Sequence, residues 1–393
     1  MDNDIQINFI INAIRCIYSE NEYVPIGRDD IEKLDWIEVR RLAAFHRIRP
    51  TLVTVLTKLN AINSPDSQPL FDFYKYQTFK NLLFVAESVR LLDLFRQHTI
   101  PVLPYKGHLF IHEFYSKQTS REVDDIDFLF LQHSVRAAIR LLQLDGYRLR
   151  VKDGPISSEE EIIRLDNMLN SSGKYELSME KGKLIIDVHW QLNYTFLPYQ
   201  VDYNELFSRS VEKPFYTTIC NVPDAETMFW MLVLHHGGKE FWLRLKHLVD
   251  LMAFMNEYEH QLDWESILIK AKQYKLFTAM MTGFSLVKTH FATELPHAVN
   301  KALTTFRPLN NKRIERYWTY AQHWINARPM LMYERICITN QDEGFSKRRY
   351  LQQFIREYSS PNPVGRRRMI TIPERFLYLN FVYKLLSFLR RRF

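Results

Sequence analysis

Glycine is scarce in this sequence, and long apolar runs are missing from it. Only 11 of the 393 residues are glycine, whereas 14% of the residues are aromatic. Because glycine marks turns and β-bulges, this composition favours a mostly helical body. A membrane-spanning helix needs about 18 uninterrupted apolar residues, and the chain contains no such run. We therefore expect no transmembrane segment.

Cysteine is rare as well. Cys16, Cys220 and Cys337 are far apart and odd in number, which excludes a disulfide framework and a paired-cysteine metal site. The first residues, MDNDIQINFIINAIRC, lack the basic start and the small-residue cleavage site of a secretory signal. Both observations indicate free thiols in a reducing compartment, so we expect a cytoplasmic protein.

Positive charge is concentrated at the end of the chain. The formal net charge is +7, and without the arginine-rich tail the chain is close to neutral. The arginines of this tail are Arg366, Arg367, Arg368, Arg390, Arg391 and Arg392. A nucleotide, a nucleic acid or another anionic partner is compatible with this charge, but net charge alone does not require nucleic acid.

The hydrophobic pattern and composition of the chain change at three places, and these changes divide it into four predicted regions. Residues 1–98 and 223–340 carry apolar side chains at helical spacing. Residues 99–222 form a predicted α/β core, and residues 341–393 a linker followed by a basic C-terminal helix. The predicted fold class is therefore α+β, with a small mixed sheet and its helices flanked by N-terminal and C-terminal helical domains. We find no catalytic cluster in the N-terminal region.

The α/β core has a readable order of elements. IPVLPYKG is a predicted strand that ends at Lys106 and Gly107, and HLFIHEFYS is a helix. REVDDIDFLFL is a second strand, and SVRAAIRLLQLDGY is a helix closed by Gly146. After a polar loop, KYELSMEKGKLIIDVHWQL predicts a hairpin with its turn near Gly182.

Three aspartates in this core carry the strongest chemical signal. Asp125 and Asp127 are two residues apart on a strand and so project to one face, and Asp187 lies on a strand that could pair beside it. Converging carboxylates are unfavourable unless a cation neutralises them, and oxygen ligands suit Mg²⁺ or Mn²⁺. Two ions about 4 Å apart would clamp the attacking oxygen and the leaving pyrophosphate. The alternative, a solvated strand edge, is common for an isolated pair.

A phosphate-binding element precedes these acids. Gly107 stands where a strand ends and a helix begins, so a phosphate can approach the backbone amides of the helix N-terminus. Lys106 or Arg121 could add positive charge against a triphosphate. The order of a Lys-Gly turn, an Asp-x-Asp strand and a later strand with a third acid favours a nucleotide site over a chance acidic pair.

Four segments resemble a known family. YKGHLFIHEFY, Arg121 with DDIDFLF, IDVHWQL and LHHGGKEFWLRLKHLVDL are similar to motifs of the bacterial uncharacterised nucleotidyltransferase family, within the polymerase-β-like superfamily. The resemblance spans roughly residues 35–260. It implies a mixed sheet between helical domains, and metal-dependent transfer of a nucleoside monophosphate from an NTP with release of pyrophosphate.

The resemblance also implies roles for the three acids. Asp125 and Asp127 would bind both metal ions, while Asp187 would be the third ligand and the candidate to deprotonate the acceptor hydroxyl. The chain departs from the superfamily at His108, where a serine or a second glycine is usual, and in the long interval between Gly107 and Asp125.

Histidine and basic residues downstream are secondary candidates. His189 follows Asp187 by two residues and should share its face, where it could contact the nucleotide or orient a carboxylate, or simply pack in the core. In this kind of fold, later helices often form the far wall of the cleft. His236, Lys239 and Arg244, with Lys246, could therefore reach the phosphates or the base.

A simpler interpretation of these later residues stays open. His236 and its basic neighbours would then lie at a helix C-terminus with its charges on the surface. Lys246 and Asp250 are spaced i, i+4 and could form a surface ion pair of small energy.

The predicted function is a metal-dependent nucleotidyltransferase that acts on an unidentified hydroxyl acceptor, which could be a small molecule, a peptide or protein, or RNA. The alternatives are a catalytically silent nucleotide-binding sensor of the same fold, and an RNA-binding protein that uses the basic tail. The tail, RFLYLNFVYKLLSFLRRRF, could dock on the protein body, a membrane surface or RNA. The sequence leaves open which NTP is used and whether the chain forms oligomers.

Overall fold

The structure is a computed structural model, and it describes a defined part of the chain: residues 3–18, 31–58, 66–115, 121–151, 156–171, 174–193, 197, 199, 201–320, 335–342, 352, 379 and 382. The predicted linker and basic C-terminal helix lie almost wholly outside these residues. Within the described ranges, no helix has both the length and the apolar character that crossing a bilayer requires. The three cysteines are free, as expected.

The N-terminal part is helical, as its periodicity predicts. Its helices are α1 Asn3–Tyr18, α2 Trp36–His46, α3 Arg49–Lys58 and α4 Gln68–Gln97. Helix α2 begins where the Asp35 carboxylate accepts the backbone N–H of Ile37 and Glu38, and it ends where Arg47 turns left-handed, with a φ of 56°. Pro50 lies in the first turn of α3, where a missing N–H costs nothing.

The central sheet is mixed. Its five strands are β1 Val102–Pro104, β2 Ile126–Phe130, β3 Arg148–Leu149, β4 Glu176–Lys181 and β5 Leu184–His189, in the order β1-β2-β5-β4-β3. Strands β2 and β5 are parallel, and the other pairs are antiparallel. Helix α5, Gly107–Phe114, connects β1 to β2, and α6, Val135–Leu144, connects β2 to β3. The α+β prediction is confirmed.

Two predicted turns of the core are present, and one helix lies where a loop is predicted. Gly146 follows α6 with a φ of +91°, and Gly182 turns the β4–β5 hairpin with a φ of +61°. The predicted polar loop before the hairpin is wrong in part, because α7, Ser158–Leu169, occupies it. The Ser157 hydroxyl caps this helix, and three glutamates in its first turn favour the positive end of the helix dipole.

Helices return after a second, two-stranded sheet. The remaining elements are α8 Tyr203–Ser208, β6 Ser210–Phe215, β7 Thr218–Pro223, α9 Ala225–Leu232, a π-helix at Val233–Lys239, α10 Leu245–Tyr258, α11 Trp264–Gln273, α12 Phe277–Phe291, α13 His297–Leu303 and α14 Asn311–Tyr320. Side chains of Asp224 and Asp263 cap the N-termini of α9 and α11.

One hydrophobic core joins the helices to the sheet. The apolar residues of β2 and β5, such as Phe128 and Val188, are buried in the same cluster as residues of α1, α4 and α10. Helix α10 packs on α5, and α5 packs on β2, which lies inside the sheet between β1 and β5. Helix α10 is therefore connected, through α5, to the strand that carries Asp127. The predicted domain boundaries stay a prediction.

Candidate functional site

Two of the predicted acidic residues, Asp127 and Asp187, lie side by side on adjacent strands of the sheet. Asp127 of β2 is the register partner of Asp187 on β5, so the predicted pairing of their strands is confirmed. Neighbouring strands lie about 4.8 Å apart, and partner side chains project from the same face. Asp125 lies just before β2, partly exposed.

Asp127 is buried and well neutralised. The Lys106 ammonium lies 2.7 Å from its Oδ1, and His189 Nε2 lies 3.0 Å from the same atom. Burial alone would raise the pKa of Asp127, but Lys106 and then His189 outweigh burial and lower the pKa to about 2. Asp127 is therefore ionised throughout the physiological pH range.

Asp187 is in a different electrostatic situation. The Ser178 hydroxyl donates to its Oδ1 at 2.6 Å. Burial, followed by the charges of Asp125 and Asp127, raises the pKa of Asp187 to about 6. One ligand atom each from Asp127, Asp187 and His189 lie within 4.8 Å of one another, which is close enough to hold a metal ion. A divalent cation would supply the positive charge that Asp187 lacks here, whereas Asp127 already contacts Lys106.

His189 links Asp127 to Glu176 on the neighbouring strand β4. Its Nδ1 lies 3.1 Å from Glu176 Oε2, on the far side from Asp127. These two carboxylates raise the pKa of His189 against the opposing effect of burial. Lys239 Nζ in turn lies 3.3 Å from Glu176 Oε2. Both ring nitrogens of His189 thus meet carboxylates, a geometry compatible with orienting Asp127, which is one of the roles that the sequence left open.

Gly107 leaves room for the Asp127 carboxylate. The residue has a φ of +31°, and a Cβ there would lie 3.1 Å from Asp127 Oδ2. The preceding residue, Lys106, also has a positive φ, of 38°, which is uncommon for a side chain with a Cβ. This tight turn after β1 brings the Lys106 ammonium onto Asp127.

Arg121 anchors a buried network behind the site. Its Nε and Nη2 donate to the two carboxylate oxygens of Asp250, at 2.8 and 2.9 Å, and Tyr115 Oη donates to Oδ1 at 2.5 Å. The predicted surface pair of Lys246 and Asp250 is wrong, because Asp250 is fully buried and points to Arg121. Lys246 and Asp250 are spaced i, i+4 on α10, but this spacing does not show which face of the helix packs against the core.

The two consecutive histidines lie in a π-helical turn. His236 is fully buried, and its Nε2 lies 2.8 Å from Asp250 Oδ2. Its interpretation as part of a surface helix end is therefore wrong. The close packing of Gly237 on Trp242, where a Cβ would lie 2.9 Å from the indole Nε1, draws this turn into the core.

A cavity of about 200 Å³ opens next to Asp125 and Asp127. It is lined by Arg47, Lys106, Gly107, Arg121, Glu122, Val123, Asp124, Asp125, Asp127, His235, Glu240, Arg244, Lys246 and His247. Cationic and acidic side chains thus meet in one space, as a metal–triphosphate complex requires. Of the predicted far-wall residues, Arg244 and Lys246 line the cavity, whereas His236 and Lys239 do not.

The N-terminal helices contribute a residue that the sequence did not reveal. Arg47, at the end of α2, lines the cavity and donates to the Asp124 carboxylate, which also accepts from Lys80 at 2.7 Å. The N-terminal region, in which the sequence shows no catalytic cluster, thus contributes one residue to the cavity wall. An arginine after a helix is normally a solvated surface residue, so its type and spacing gave no signal.

His108, where the chain departs from the superfamily pattern, faces the core. The side chain is buried, and burial lowers its pKa to about 3. Its ring packs edge-on against Phe84, with the centroids 6.0 Å apart. The departure therefore places a neutral imidazole next to the Lys106–Gly107 turn, and His108 is not among the residues that line the cavity.

Comparison with known proteins identifies one family. Residues 32–292, more than half of the chain, match the family described as uncharacterised nucleotidyltransferase. The matched range includes every strand of the central sheet, the π-helix and α10. No curated protein sequence matches the chain.

Proposed function

This chain belongs to the uncharacterised nucleotidyltransferase family, and on that premise we propose that it transfers a nucleoside monophosphate from an NTP to a hydroxyl acceptor and releases pyrophosphate. The observation that carries the proposal is the pairing of Asp127 with Asp187 in register beside a charged cavity. Membership of the family suggests nucleotidyl transfer, and the Asp127–Asp187 pair marks the place where the reaction would occur.

The donor set fits a divalent metal. Asp125, Asp127 and Asp187 offer hard oxygen atoms, which suit Mg²⁺ or Mn²⁺. Burial, and then the charges of Asp125 and Asp127, raise the pKa of Asp187, so a cation beside this carboxylate would be favourable. We assign these three residues as the ligands, and His189 as the group that holds Asp127. When bound, the metal would neutralise charge on the α-phosphate and on the leaving pyrophosphate.

Cations on the opposite wall would bind the triphosphate. Arg244 and Lys246 line the cavity, and neither forms an ion pair with any residue that the structure describes. Burial, and then the positive charges of Arg121 and Arg47, lower the pKa of Lys246 well below its ordinary value. A phosphate would offset this repulsion, so the wall is favourable for an anion.

Lys106 would serve both the acid and the nucleotide. Its ammonium contacts Asp127 at 2.7 Å, where it competes with a cation for the same oxygen. Neutralisation of Asp127 by a metal would free this ammonium for a phosphate oxygen. Arg121, whose donors are directed at Asp250, would support the turn at Gly107, since its Nη1 lies 3.4 Å from the Gly107 carbonyl oxygen.

The test is a transfer assay with each α-labelled NTP in turn and Mg²⁺. Pyrophosphate release and transfer of label should occur with the wild-type protein and be lost in Asp125→Asn and Asp127→Asn. Asp166→Asn is the matched control, because Asp166 pairs with Arg136 on the exposed surface. Equal NTP consumption by the wild-type protein and Asp127→Asn would contradict the proposed metal site. Tight NTP binding without pyrophosphate release would instead indicate a sensor. A mass shift on a candidate acceptor would name donor and acceptor together.

A further inference from the structure

Three hydrogen-bonded side chains, those of His235, His236 and Asp250, form a chain that ends at the cavity. His235 Nδ1 lies 2.9 Å from His236 Nδ1, and His236 Nε2 lies 2.8 Å from Asp250 Oδ2. Of the three, His235 lines the cavity, whereas His236 and Asp250 are fully buried behind it. Arg121 holds Asp250 with two hydrogen bonds, which fixes the far end.

This geometry is unusual for consecutive residues. Side chains at i and i+1 of an α-helix diverge and do not face each other. His235 and His236 meet because they lie in the π-helix, whose wider turn changes the direction of successive side chains. Single π-turns within helices occur frequently at functional sites.

The hydrogen bonds determine where the protons are. The Asp250 carboxylate can only accept, so His236 Nε2 carries a proton. Burial lowers the pKa of both histidines and keeps them neutral, so His236 Nδ1 is a lone pair and accepts from His235 Nδ1–H. The remaining nitrogen, His235 Nε2, is therefore a lone pair, and it forms no hydrogen bond with any described residue.

We propose that His235 Nε2 accepts the proton of the acceptor hydroxyl, with His236 and Asp250 as positioning residues. The hydroxyl oxygen bonds to the α-phosphorus of the NTP, and the bond from that phosphorus to the bridging oxygen of the pyrophosphate breaks. The hydroxyl proton moves to His235 Nε2, while the Nδ1 proton of His235 moves to His236 Nδ1. The positive charge then lies on His236, against the Asp250 carboxylate. This inference rests on the proposed nucleotidyl transfer.

Asp187 is a poorer acceptor for that proton. Although the family resemblance assigns it this role, Asp187 is not among the described residues that line the cavity. One of its oxygens accepts from Ser178, and metal coordination would use its remaining electron pairs. His235 shares the cavity wall with Asp125 and Asp127 and carries an uncommitted lone pair.

The test compares His235→Ala with His260→Gln, a histidine on the exposed surface. Transfer is measured as label and pyrophosphate release from α-labelled NTP with Mg²⁺, and NTP affinity by titration calorimetry. We expect kcat of His235→Ala to fall about 100-fold, as for loss of a general base, with NTP affinity within about twofold of wild type. Added imidazole should restore part of the activity of His235→Ala and none of that of Asp127→Asn. His236→Gln should lower kcat with KM unchanged.

The outcomes separate this inference from the function on which it rests. Wild-type kcat in His235→Ala, with activity lost in Asp127→Asn, would overturn the proton-acceptor role and leave nucleotidyl transfer standing. Full activity in Asp127→Asn would contradict the proposed nucleotidyl transfer at this site. If His235→Ala is poorly folded, His235→Gln retains the volume of the side chain, and undiminished kcat there would also overturn the proposal.

Discussion

Asp127 and Asp187 are register partners on the parallel strands β2 and β5, yet their surroundings shift the pKa values of the two carboxylates in opposite directions. Lys106 and His189 contact Asp127 and lower its pKa to about 2, whereas Asp187 receives a single Ser178 hydroxyl and has a pKa raised to about 6. One carboxylate is neutralised by the protein and the other is not. This asymmetry leaves negative charge that a bound cation would neutralise, and the proposed metal site can therefore be tested by measurement.

Removal of either carboxylate should weaken metal binding. We expect Asp127→Asn and Asp187→Asn each to lower Mn²⁺ affinity by at least about tenfold, or about 1.4 kcal/mol, because each change removes a charged ligand. Titration calorimetry without nucleotide measures the affinity. Asp166→Asn, an exposed carboxylate outside the site, should bind as wild type does. Unchanged affinity in Asp187→Asn would exclude that residue from the metal site.

Asp187→Asn should also stabilise the metal-free protein at neutral pH. The pKa of Asp187 is raised from 3.8 to about 6, so between these values the folded state holds the proton more tightly than the unfolded state. Stability is therefore lost as pH rises through this window, and the loss persists above it. Asparagine carries no such charge. Thermal unfolding in EDTA should give similar Tm values for both proteins near pH 4 and a variant Tm higher by about 2–4 °C at pH 7. A Tm difference independent of pH would contradict this.

Lys106→Met should separate metal binding from nucleotide binding. The ammonium lies 2.7 Å from Asp127 Oδ1 and repels a cation that approaches the same oxygen. We expect Mg²⁺ to bind the variant up to about tenfold more tightly without nucleotide, and NTP to bind more weakly. Lys183→Met, on the exposed hairpin turn, is the control. Weaker Mg²⁺ binding in Lys106→Met would show that the lysine supports the metal site.

Gly107→Ala should impair transfer through the position of Asp127. A Cβ at Gly107 would lie 3.1 Å from Asp127 Oδ2, and misplacement of a reacting group by about 1 Å can cost about 100-fold in rate. Gly182→Ala is a matched control, because Gly182 also has a positive φ but a Cβ there meets nothing within 4 Å. Both variants should lose about 1 kcal/mol from backbone strain, and only Gly107→Ala should lose activity. Equal activities would show that the Asp127 position tolerates the contact.

The buried pair of Arg121 and Asp250 should matter more for stability than any exposed ion pair. Arg121→Met leaves the Asp250 carboxylate buried without its main partner, which we expect to cost about 3–5 kcal/mol of unfolding free energy. Arg136→Met breaks an ion pair in which both side chains are 56% exposed, and should cost less than about 1 kcal/mol. Urea unfolding measures both. Similar losses in the two variants would mean that water reaches Asp250.

Sequence alone determined what depends on neighbours along the chain. The period-two alternation placed Asp127 on a strand, although Asp125 lies just before it, and glycines marked the helix end at residue 146 and the hairpin turn at residue 182. Each of these signals acts within a few residues, because caps, turns and strand alternation are local hydrogen-bonding and steric effects. The missed α7 shows the limit: its charged residues also fit a polar loop.

Only the tertiary structure decided which surfaces meet. Periodicity shows that residues share a face, but not whether that face meets solvent, the core or a distant helix. The spacing of Lys246 and Asp250 is therefore compatible with a surface ion pair, although Asp250 is the buried partner of Arg121, 129 residues away in sequence. Arg47 and His235 belong to the cavity for the same reason. Their positions follow from long-range packing, since burial and charge pairing depend on contacts between segments that the order of residues does not specify.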